Sequence, residues 1–457
     1  MAVSLQACVS RGWRERVVGL DRPLSLLDGR LAPYVSLDNA ATTPPLRDVL
    51  AAVESFLPCY GSVHRGSGFN ARFSTAAYDE AHRTVARFVG ADPDRAVVIF
   101  GKNTTEAVNK LAHRFPLPPG SVVITTLMEH HSNDLPWRGR AQMLRVGVAT
   151  DGRLDEEHLD RLLDAWGERV ALLTVSGASN VTGYVQPIHR LARKAHAVGA
   201  RILVDAAQLA PHRRIDVRPP GDPEHLDYVA LSAHKMYAPF GTGALIGSPD
   251  VFRQGAPEYR GGGTIEVVTL DDVEWAPPPY REEAGSPNAV GAIALEAAAR
   301  ALMGGGLEEI ESHEAALTAY ALERLHSVPG IRIYGESDPA RGADRVGVIP
   351  FNLEGRPDGL VAAILGHEFG IAVRSGCFCA QPYVSRLLGV PPREWRELVH
   401  ARRKPGMVRI SLGAYNTASD IDALIDALRR IARGEVYGQY ARDPYGDFVP
   451  VVGQAGS

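Results

Sequence analysis

The chain has few cysteines and no excess of either charge. Its 457 residues include four cysteines, Cys8, Cys59, Cys377 and Cys379, too few for a disulfide scaffold and typical of a reducing compartment. Lysine and arginine number 49 and aspartate and glutamate 53, which gives a net charge of −4. This near balance provides no electrostatic basis for a nucleic-acid or anionic-membrane partner.

Long apolar segments and targeting segments are also lacking. The first 25 residues mix both charge signs without an apolar run of signal-peptide length, and no stretch reaches the roughly 18 apolar residues of a membrane span. Apolar residues nevertheless make up 45% of the chain, enough for a sizeable core. We therefore expect a soluble, cytoplasmic protein with neither a membrane nor a nucleic-acid partner.

Short β-rich runs alternate with helical stretches between about residues 95 and 250. The runs cover residues 96–100, 121–126, 170–175, 201–205, 228–232 and 243–247. They are continuously apolar rather than alternating, which is typical of strands covered on both faces of a mostly parallel sheet. The sequence thus predicts an α/β fold with a ligand crevice at the carboxyl ends of the strands.

Composition shifts divide the chain into four parts. A Pro-rich stretch at 275–280 precedes an Ala-rich helical stretch at 288–303, so residues 36–288 are expected to form a large domain. Residues 289–434 are expected to form a smaller α+β domain, whose last helix begins at the capping box Thr417-x-x-Asp420. Residues 1–35 are expected to pack on the small domain, and 435–457 to form a tail that packs loosely or across an oligomer interface.

Two side chains after strands carry the strongest chemical signal. Lys235 follows the run 228–232, where an apolar crevice lowers the pKa of the ammonium and makes it a nucleophilic amine suited to a Schiff base. Asp205 ends the run 201–205, where an unpaired carboxylate is costly and the ring nitrogen of pyridoxal phosphate is a natural partner. Gln208 is placed to donate to the ring oxygen. Alone, the lysine fits a surface loop and the aspartate a helix cap; together they are far more specific.

Residues 101–109 predict a phosphate site. They join a strand to a helix and place Thr104 and Thr105 at the helix N-terminus, where free amides and the helix dipole favour an anion. Ser232 and His234, beside the lysine, are placed to add donors. Ordinary helix capping is the alternative reading of the threonines, and the segment is neither a Walker loop nor a GxGxxG loop.

Histidine and cysteine residues follow further strands, and an arginine lies within another. His130 fits a ring stacked on the cofactor better than a metal ligand, because the HisHis pair lacks the i, i+4 spacing of a helical zinc site. Cys377 and Cys379 predict a mobile loop that carries a thiolate, with buried structural cysteines as the alternative. Arg409, in an apolar strand, is placed to hold a substrate carboxylate or to form a structural ion pair. No metal site is expected.

These residues together resemble a known family. From about residue 34 to 433 the chain is similar to class V aminotransferase-fold enzymes (fold type I, pyridoxal phosphate), and most of all to group II cysteine desulfurases and selenocysteine lyases. The matching segments are LeuAspAsnAlaAlaThrThr (37–43), SerValHisArgGly (62–66), AsnThrThrGluAlaValAsn (103–109), MetGluHisHisSerAsn (128–133), SerAsnValThrGly (179–183), ValAspAlaAlaGln (204–208), SerAlaHisLys (232–235), GlyGlyGlyThrIle (261–265), GluAlaGlySerProAsn (283–288), ArgSerGlyCysPheCysAla (374–380) and ValArgIleSerLeu (408–412).

The resemblance implies a seven-stranded, mostly parallel sheet in the large domain, and a homodimer with its sites at the interface. It implies that Lys235 binds the cofactor aldehyde and that Cys379 carries a persulfide. Further cofactor contacts are implied for Asp205, Gln208, His130, Thr104, Thr105, Asn180, Ser232, His234 and, from the other subunit, Ser286. Substrate contacts are implied for Arg409, His64, Arg374, Asn39 and Ala40.

The implied activity is conversion of L-cysteine to L-alanine, with the sulfur passed to Cys379 and on to an acceptor protein. The same residues also suit another lyase, including a selenocysteine lyase, an epimerase or an aminotransferase; a non-catalytic sulfur-transfer partner is a further alternative. Cys377 and Phe378 stand where many group II members have two histidines. This CysPheCys loop, with the basic segment 385–404, is similar to the aminotransferase-like half of molybdenum cofactor sulfurases.

Overall fold

The computed structural model describes residues 12–20, 22–64, 66–403 and 405–451. The strands are β1 Pro23–Ser25, β2 Leu31–Pro33, β3 Val35–Ser36, β4 Val97–Gly101, β5 Val122–Thr126, β6 Gln142–Val146, β7 Val170–Ser176, β8 Arg201–Asp205, β9 Tyr228–Ser232, β10 Gly243–Gly247, β11 Ile265–Val268, β12 Val273–Trp275, β13 Ile331–Ile333, β14 Val348–Leu353, β15 Ile371–Ala372, β16 Arg374–Gly376, β17 Met407–Ser411, β18 Tyr440–Arg442 and β19 Phe448–Pro450. From residue 22 onward the α-helices are Arg47–Phe56, Phe69–Phe88, Thr104–Arg114, His131–Asp134, Glu156–Trp166, Ile188–His196, Asp250–Arg253, Ala289–Gly304, Leu307–His326, Asp358–Phe369, Gln381–Leu388, Pro392–His400 and Ala418–Ala432.

A seven-stranded sheet forms the centre of the large unit, in the order β4-β10-β9-β8-β7-β5-β6. Strand β10 is antiparallel to both neighbours, and the other pairs are parallel. The predicted α/β fold is therefore confirmed, and each of the six predicted strands appears within about one residue of its expected bounds. The seventh, β6, was missed because this edge strand is only partly buried and its sequence GlnMetLeuArgVal is not continuously apolar.

The parallel strands end at one edge of the sheet, which fixes where the site lies. Thr126, Ser176, Asp205 and Ser232 end β5, β7, β8 and β9. Because β8 and β9 are adjacent and parallel, the residues that follow them emerge side by side. The predicted crevice lies at this edge, as expected for a doubly covered sheet.

The smaller unit has its own sheet and core. Strands β13-β14-β17-β16 form a four-stranded antiparallel sheet, packed with the helices Leu307–His326, Asp358–Phe369 and Ala418–Ala432. Thr417 and Asp420 form the predicted capping box at the start of the last helix.

The large unit extends further along the chain than the sequence indicated. The helix Ala289–Gly304 packs on Arg47–Phe56 and Phe69–Phe88, and the large core continues to Ile310. The predicted boundary at residue 288 is therefore too early. The reason is that this helix is apolar on most of its surface and buries ten of its residues, so it requires a core on several sides.

The two ends of the chain also differ from expectation. Residues 1–11 lie outside the described part, and Trp13, Val17 and Leu20 pack in the large core rather than on the small unit. Arg14 in the same segment reaches the small unit, 3.5 Å from Asp420, and further contacts follow where Leu27 donates to the His367 carbonyl and β3 pairs with β15.

The tail is not loosely packed. The amides of Tyr437 and Gly438 and the Tyr440 hydroxyl all donate to Glu368, which anchors the hairpin β18–β19 on the small unit. Residues 452–457 lie outside the described part. Within it, no helix by itself has the length and apolar composition to cross a bilayer; only the bent pair Ala289–Gly304 and Leu307–His326 passes that test, and both helices contribute to the buried core.

Candidate active site

A cavity of about 460 Å³ opens at the carboxyl edge of the large sheet. It brings together the predicted residues Ala40, Thr104, Thr105, His130, Asn180, Asp205, Gln208, Ser232, His234, Lys235, Arg374, Cys379 and Arg409. The remaining lining residues are Ala41, Asn103, Ser132, Ser176, Ala178, Ala207, Ser375 and Phe378. Both units contribute to this cavity, because Arg374, Arg409 and the cysteine loop belong to the small unit.

Lys235 and Asp205 emerge from adjacent strands into this cavity. Burial lowers the pKa of Lys235 to about 8, although the charge of Asp205 opposes that shift. Burial likewise raises the pKa of Asp205, which accepts one hydrogen bond, from the Ala207 amide at 3.0 Å. An amine near its titration midpoint thus faces a buried acid that has capacity for another donor.

Gln208 connects the cavity around Lys235 and Asp205 to the small unit. Its Nε2 lies 3.3 Å from His212 Nε2, and its Oε1 is buried without a partner. His212 Nδ1 lies 2.7 Å from the carboxylate of Glu314, which also binds Arg213 at 2.7 Å. Because the carboxylate accepts from Nδ1–H, Nε2 of His212 is left to accept from the Gln208 amide.

Hydroxyl groups cluster at the N-terminus of the helix Thr104–Arg114. Asn103 caps the helix by accepting from the Glu106 amide. The Thr104 amide and hydroxyl lie 2.8 and 2.9 Å from Ser232 Oγ, and Thr105 Oγ1 lies 2.6 Å from Ser132 Oγ. A helix dipole and four hydroxyls together form a site suited to an anion.

A glycine in β10 permits this arrangement. A Cβ atom on Gly243 would lie 2.5 Å from Asn103 Cα and 2.7 Å from the Leu231 carbonyl oxygen. Both neighbours are backbone atoms, so a side chain here would displace the helix cap. The close approach of β10 therefore fixes the helix N-terminus over the strand that leads to Lys235.

Two neutral histidines line the cavity. Burial, aided by the charge of Lys235, lowers the pKa of His130 to about 3 and that of His234 to about 4. His130 Nδ1 accepts from the Ser132 amide, which holds its ring in place. Among the described residues no group of three or more histidine, cysteine and acidic side chains is arranged to hold a metal ion.

Arg409 and Arg374 share one carboxylate. They are cross-strand partners in β17 and β16, and they lie 3.1 and 2.9 Å from the two oxygens of Asp38. Arg409 also donates to the Asn180 carbonyl at 2.9 Å, while its Nε is buried without a partner. Burial lowers the pKa of Arg409 to about 10, and Asp38 opposes the shift. The pair retains one net positive charge at the cavity wall.

The cysteine loop is held in an uncommon backbone conformation. Phe378 and Cys379 have φ of +52° and +53°, the left-handed region that favours glycine. Asn180 Nδ2 donates to the Phe378 carbonyl at 2.6 Å, and the His131 amide to the Cys379 carbonyl at 2.7 Å. Cys379 is exposed and lines the cavity, whereas Cys377 is half-buried and does not.

Three predicted residues lie outside the cavity within one chain. Asn39 packs behind its wall, donating to the Ser411 carbonyl and accepting from Tyr415. His64 lines a second cavity of about 470 Å³ and lies 3.6 Å from Asp79. Ser286 is exposed.

Sequence reasoning missed several residues that support the site. Asp38 was inside a matching segment, but nothing in the segment showed that it faces two arginines. Glu129 is buried behind His130 and accepts from Thr126, Asn133 and Ser176 at 2.6–2.7 Å. Burial raises its pKa to about 7. Its position after a strand, next to His130, was the available signal.

Comparison with known proteins identifies the family. The model of the family Aminotransferase class-V matches residues 35–424. A cysteine desulfurase of Haloferax volcanii is 36% identical over 410 residues, which cover 88% of this chain and 90% of the relative. A cysteine desulfurase of Dickeya dadantii is 38% identical, with 88% and 92% of the two chains covered.

Solved structures agree. The cysteine desulfurase CsdA of Escherichia coli matches with a TM-score of 0.76 at 29% identity, over 94% of this chain and 99% of that one. The apo cysteine desulfurase of Thermococcus onnurineus matches with a TM-score of 0.76 at 31% identity, over 88% and 95%. The fold is therefore that of pyridoxal-phosphate-dependent transferases of type I, as predicted. On the extent of the family match and the identity to its relatives, this chain belongs to the class V aminotransferases.

Proposed function

We propose that this protein is a pyridoxal-phosphate-dependent cysteine desulfurase, which converts L-cysteine to L-alanine and takes the sulfur onto Cys379. The observation that carries the proposal is that Lys235, Asp205, Arg409 and Cys379 line one cavity. An amine, a buried acid, a carboxylate-binding cation and a thiol are the groups this conversion requires. The activity of the relatives, with about nine-tenths of each relative covered, supports the same assignment.

The residues of the cavity fit the cofactor that the family uses. Lys235 offers an amine that is partly deprotonated near pH 8, and Asp205 a buried carboxylate for a protonated ring nitrogen. The hydroxyls at Thr104 and Thr105 suit a phosphate. When bound, pyridoxal phosphate supplies an electron sink that weakens bonds at the α- and β-carbons of an attached amino acid.

Arg409 is placed to orient the substrate. Its buried guanidinium has an unsatisfied Nε, and the charge of Asp38 is shared between it and Arg374. A substrate carboxylate satisfies that donor and neutralises the remaining positive charge. Asp38 thus positions the guanidinium without cancelling the attraction for an anion.

Lys235 moves the protons of the reaction. With a pKa of about 8, its Nζ both accepts a proton from the substrate α-carbon and returns one near neutral pH. The neutral rings of His130 and His234 add no cation beside it, which keeps that pKa from falling further.

Cys379 takes the sulfur. As a thiolate, its Sγ attacks the substrate sulfur; an S–S bond forms and the substrate Cβ–S bond breaks. Cysteine and a protein thiol become alanine and a protein persulfide, so atoms and electrons balance without an oxidant. The backbone at Phe378 and Cys379 is left-handed, and Cys379 lines the same cavity as Arg409.

The test compares Cys379→Ser with the matched variant Cys377→Ser. Each is incubated with L-cysteine; alanine and pyruvate are quantified, and one added sulfur atom is sought by intact-protein mass spectrometry. We expect Cys379→Ser to lose alanine formation and the added sulfur while keeping the visible absorbance of the bound cofactor. Cys377→Ser should retain first-turnover alanine formation. Full alanine formation by Cys379→Ser, or pyruvate and ammonia as the products of the wild type, would contradict the proposal.

We further propose that the holoenzyme is a homodimer. The resemblance implies a substrate contact for His64 and a cofactor contact for Ser286, yet both lie outside the cavity of their own chain. In a single chain, the surface near His64 leaves four large apolar side chains exposed to water: Leu57, Tyr60, Phe69 and Phe73. Light scattering of the holoenzyme should give twice the mass of one chain; a fully active monomer would disprove this.

A further inference from the structure

A groove lies beside the cysteine loop and plays no part in the proposed chemistry. The helices Gln381–Leu388 and Pro392–His400 form it against the segment around His131 and Leu135, and it encloses about 830 Å³. Its lining residues include Arg138, Arg386, Arg396, His131 and His400, and no aspartate or glutamate. The acidic residues of the second helix, Glu394 and Glu397, do not line it.

The charge of the groove is largely unpaired. Arg386 and Arg396 are exposed, and no carboxylate of the described residues lies within 4 Å of either. Elsewhere exposed arginines such as Arg190 bind a carboxylate, here Glu156. Arg138 pairs with Asp134, and burial lowers the pKa of His131, so the two free arginines dominate the field. The groove therefore attracts an anion.

The floor of the groove is apolar. Leu127, Leu135, Val390, Trp395 and Val399 line it, together with three prolines. Trp395 is 7% exposed, so no aromatic face stands free to stack on a base. Basic side chains around aliphatic ones suit a polypeptide that carries acidic and apolar side chains, rather than a nucleic acid.

The groove is joined to Cys379 by hydrogen bonds. The His131 amide donates to the Cys379 carbonyl at 2.7 Å, and the Gln381 amide donates to His131 Nε2 at 3.2 Å. His131 and Gln381 both line the groove, while Cys379 lines the catalytic cavity. A chain seated in the groove is thus held within a few residues of the thiol.

We propose that this groove binds the protein that accepts sulfur from Cys379, through a segment of that protein that carries acidic and leucine side chains. The inference rests on the proposed function. A thiolate of the acceptor attacks the outer sulfur of the Cys379 persulfide. A new S–S bond forms, the old S–S bond breaks, and Cys379 leaves as a thiolate, so the transfer requires no oxidant or reductant. The free arginines raise the encounter rate, which makes transfer salt-dependent.

The test uses two synthetic peptides as probes. Each contains one cysteine and several leucines; one carries glutamates and the other lysines at the same positions. Holoenzyme loaded with sulfur from radiolabelled L-cysteine is mixed with each peptide at low and high salt. We expect the acidic peptide to accept sulfur on the order of 10-fold faster at low salt, with the preference fading as salt rises.

Variants locate the effect. The double variant Arg386→Glu/Arg396→Glu should abolish or reverse the preference, and Arg386→Gln/Arg396→Gln should reduce it. The matched control Arg95→Glu/Arg161→Glu makes the same change in net charge at exposed arginines outside the groove and should keep the preference. All variants should form alanine and the Cys379 persulfide as the wild type does, which shows that they fold.

Four results would overturn the inference, three of them from the transfer assays and the variants. Those three are equal transfer to both peptides, a preference that survives both groove variants, and conversion of the dimer to a monomer by those variants, which would assign the groove to a second copy of the chain. Tighter binding of a single-stranded RNA than of the acidic peptide would also overturn it. Failure of the wild type to form alanine or the persulfide would instead refute the proposed function.

Discussion

The pKa of Lys235 is set by opposing influences that can be separated by mutation. Burial lowers its pKa to about 8, while Asp205 works in the other direction. Removing that negative charge in Asp205→Asn should lower the pKa of Lys235 further, so that its free amine is present at more acidic pH. The measurement is the pH dependence of acetylation of Lys235 by acetic anhydride in the cofactor-free protein, followed by peptide mass spectrometry.

Two controls accompany that experiment. Gln208→Asn keeps the charge and should leave the midpoint where it is, and the exposed Lys102 provides an internal reference for reagent decay. A midpoint in Asp205→Asn that is unchanged or higher would show that the carboxylate does not act on the amine.

Sequence reasoning worked best for side chains at the ends of strands. Asp205, Ser232 and Lys235 were found because strand ends converge in a parallel sheet. It failed for Asn39, next to the cavity residue Ala40, because both lie in a turn that follows Asp38, where Asn39 packs against Ser411 and Tyr415 instead of the cavity. A matching segment shows that such a stretch belongs to the site, but not which of its side chains face it.

Among secondary-structure elements, the helix Thr104–Arg114 owes the position of its N-terminus to the close approach of β10. In Gly243→Ala the new Cβ would meet the Asn103 backbone at 2.5 Å, so the helix N-terminus must shift. We expect the Kd for pyridoxal phosphate to rise on the order of 10-fold or more, which corresponds to about one lost hydrogen bond to a charged group. Fluorescence titration of the cofactor-free protein measures it.

Gly366→Ala is the matched control, since a Cβ there meets nothing within 4 Å and the residue lies in the helix Asp358–Phe369. It should bind the cofactor as the wild type does and gain up to about 1 kcal/mol of stability. Unchanged affinity in Gly243→Ala would show that the helix N-terminus does not depend on this close approach.

The helix Ala289–Gly304 shows why a secondary-structure element is easier to predict than the elements it packs against. Its alanine content indicated a helix, and the observed bounds differ from the expected ones by about one residue. Composition does not show which core a helix that is apolar on all sides packs in. The helix Ala289–Gly304 was therefore assigned to the small unit, although it packs in the large one. The partner of an element is decided by packing across the chain.

At the level of the whole chain, the two units are joined through Glu314, which contacts His212 and Arg213 of the large unit. Burial would raise the pKa of Glu314, yet these two groups hold it below its usual range. Glu314→Gln should therefore lower the free energy of unfolding by about 3–5 kcal/mol at neutral pH, because it removes the buried charge partner of Arg213 and leaves only the half-exposed Glu311. Urea unfolding measures the difference.

The pH dependence follows from the sign of that shift. A carboxyl whose pKa is lower in the folded than in the unfolded chain stabilises the fold above its unfolded pKa, roughly 4.3, and that contribution is lost as the pH falls through the folded pKa. The difference between wild type and Glu314→Gln should thus shrink below about pH 4. Glu311→Gln, at a half-exposed partner of Arg213, should cost only about 0–1 kcal/mol. A difference that does not change with pH would refute this role.

The pairing of β16 with β17 has an evolutionary consequence. The ladder closes at Gly376 and Met407, and the 30 residues between them include Cys379 and both helices of the groove. The entropy lost in closing such a segment grows only with the logarithm of its length, about 0.6 kcal/mol for each doubling. Insertions here leave the register of both arginines intact. Related proteins can therefore differ in this segment, and so bind different acceptor proteins, while the residues of the catalytic cavity stay in place.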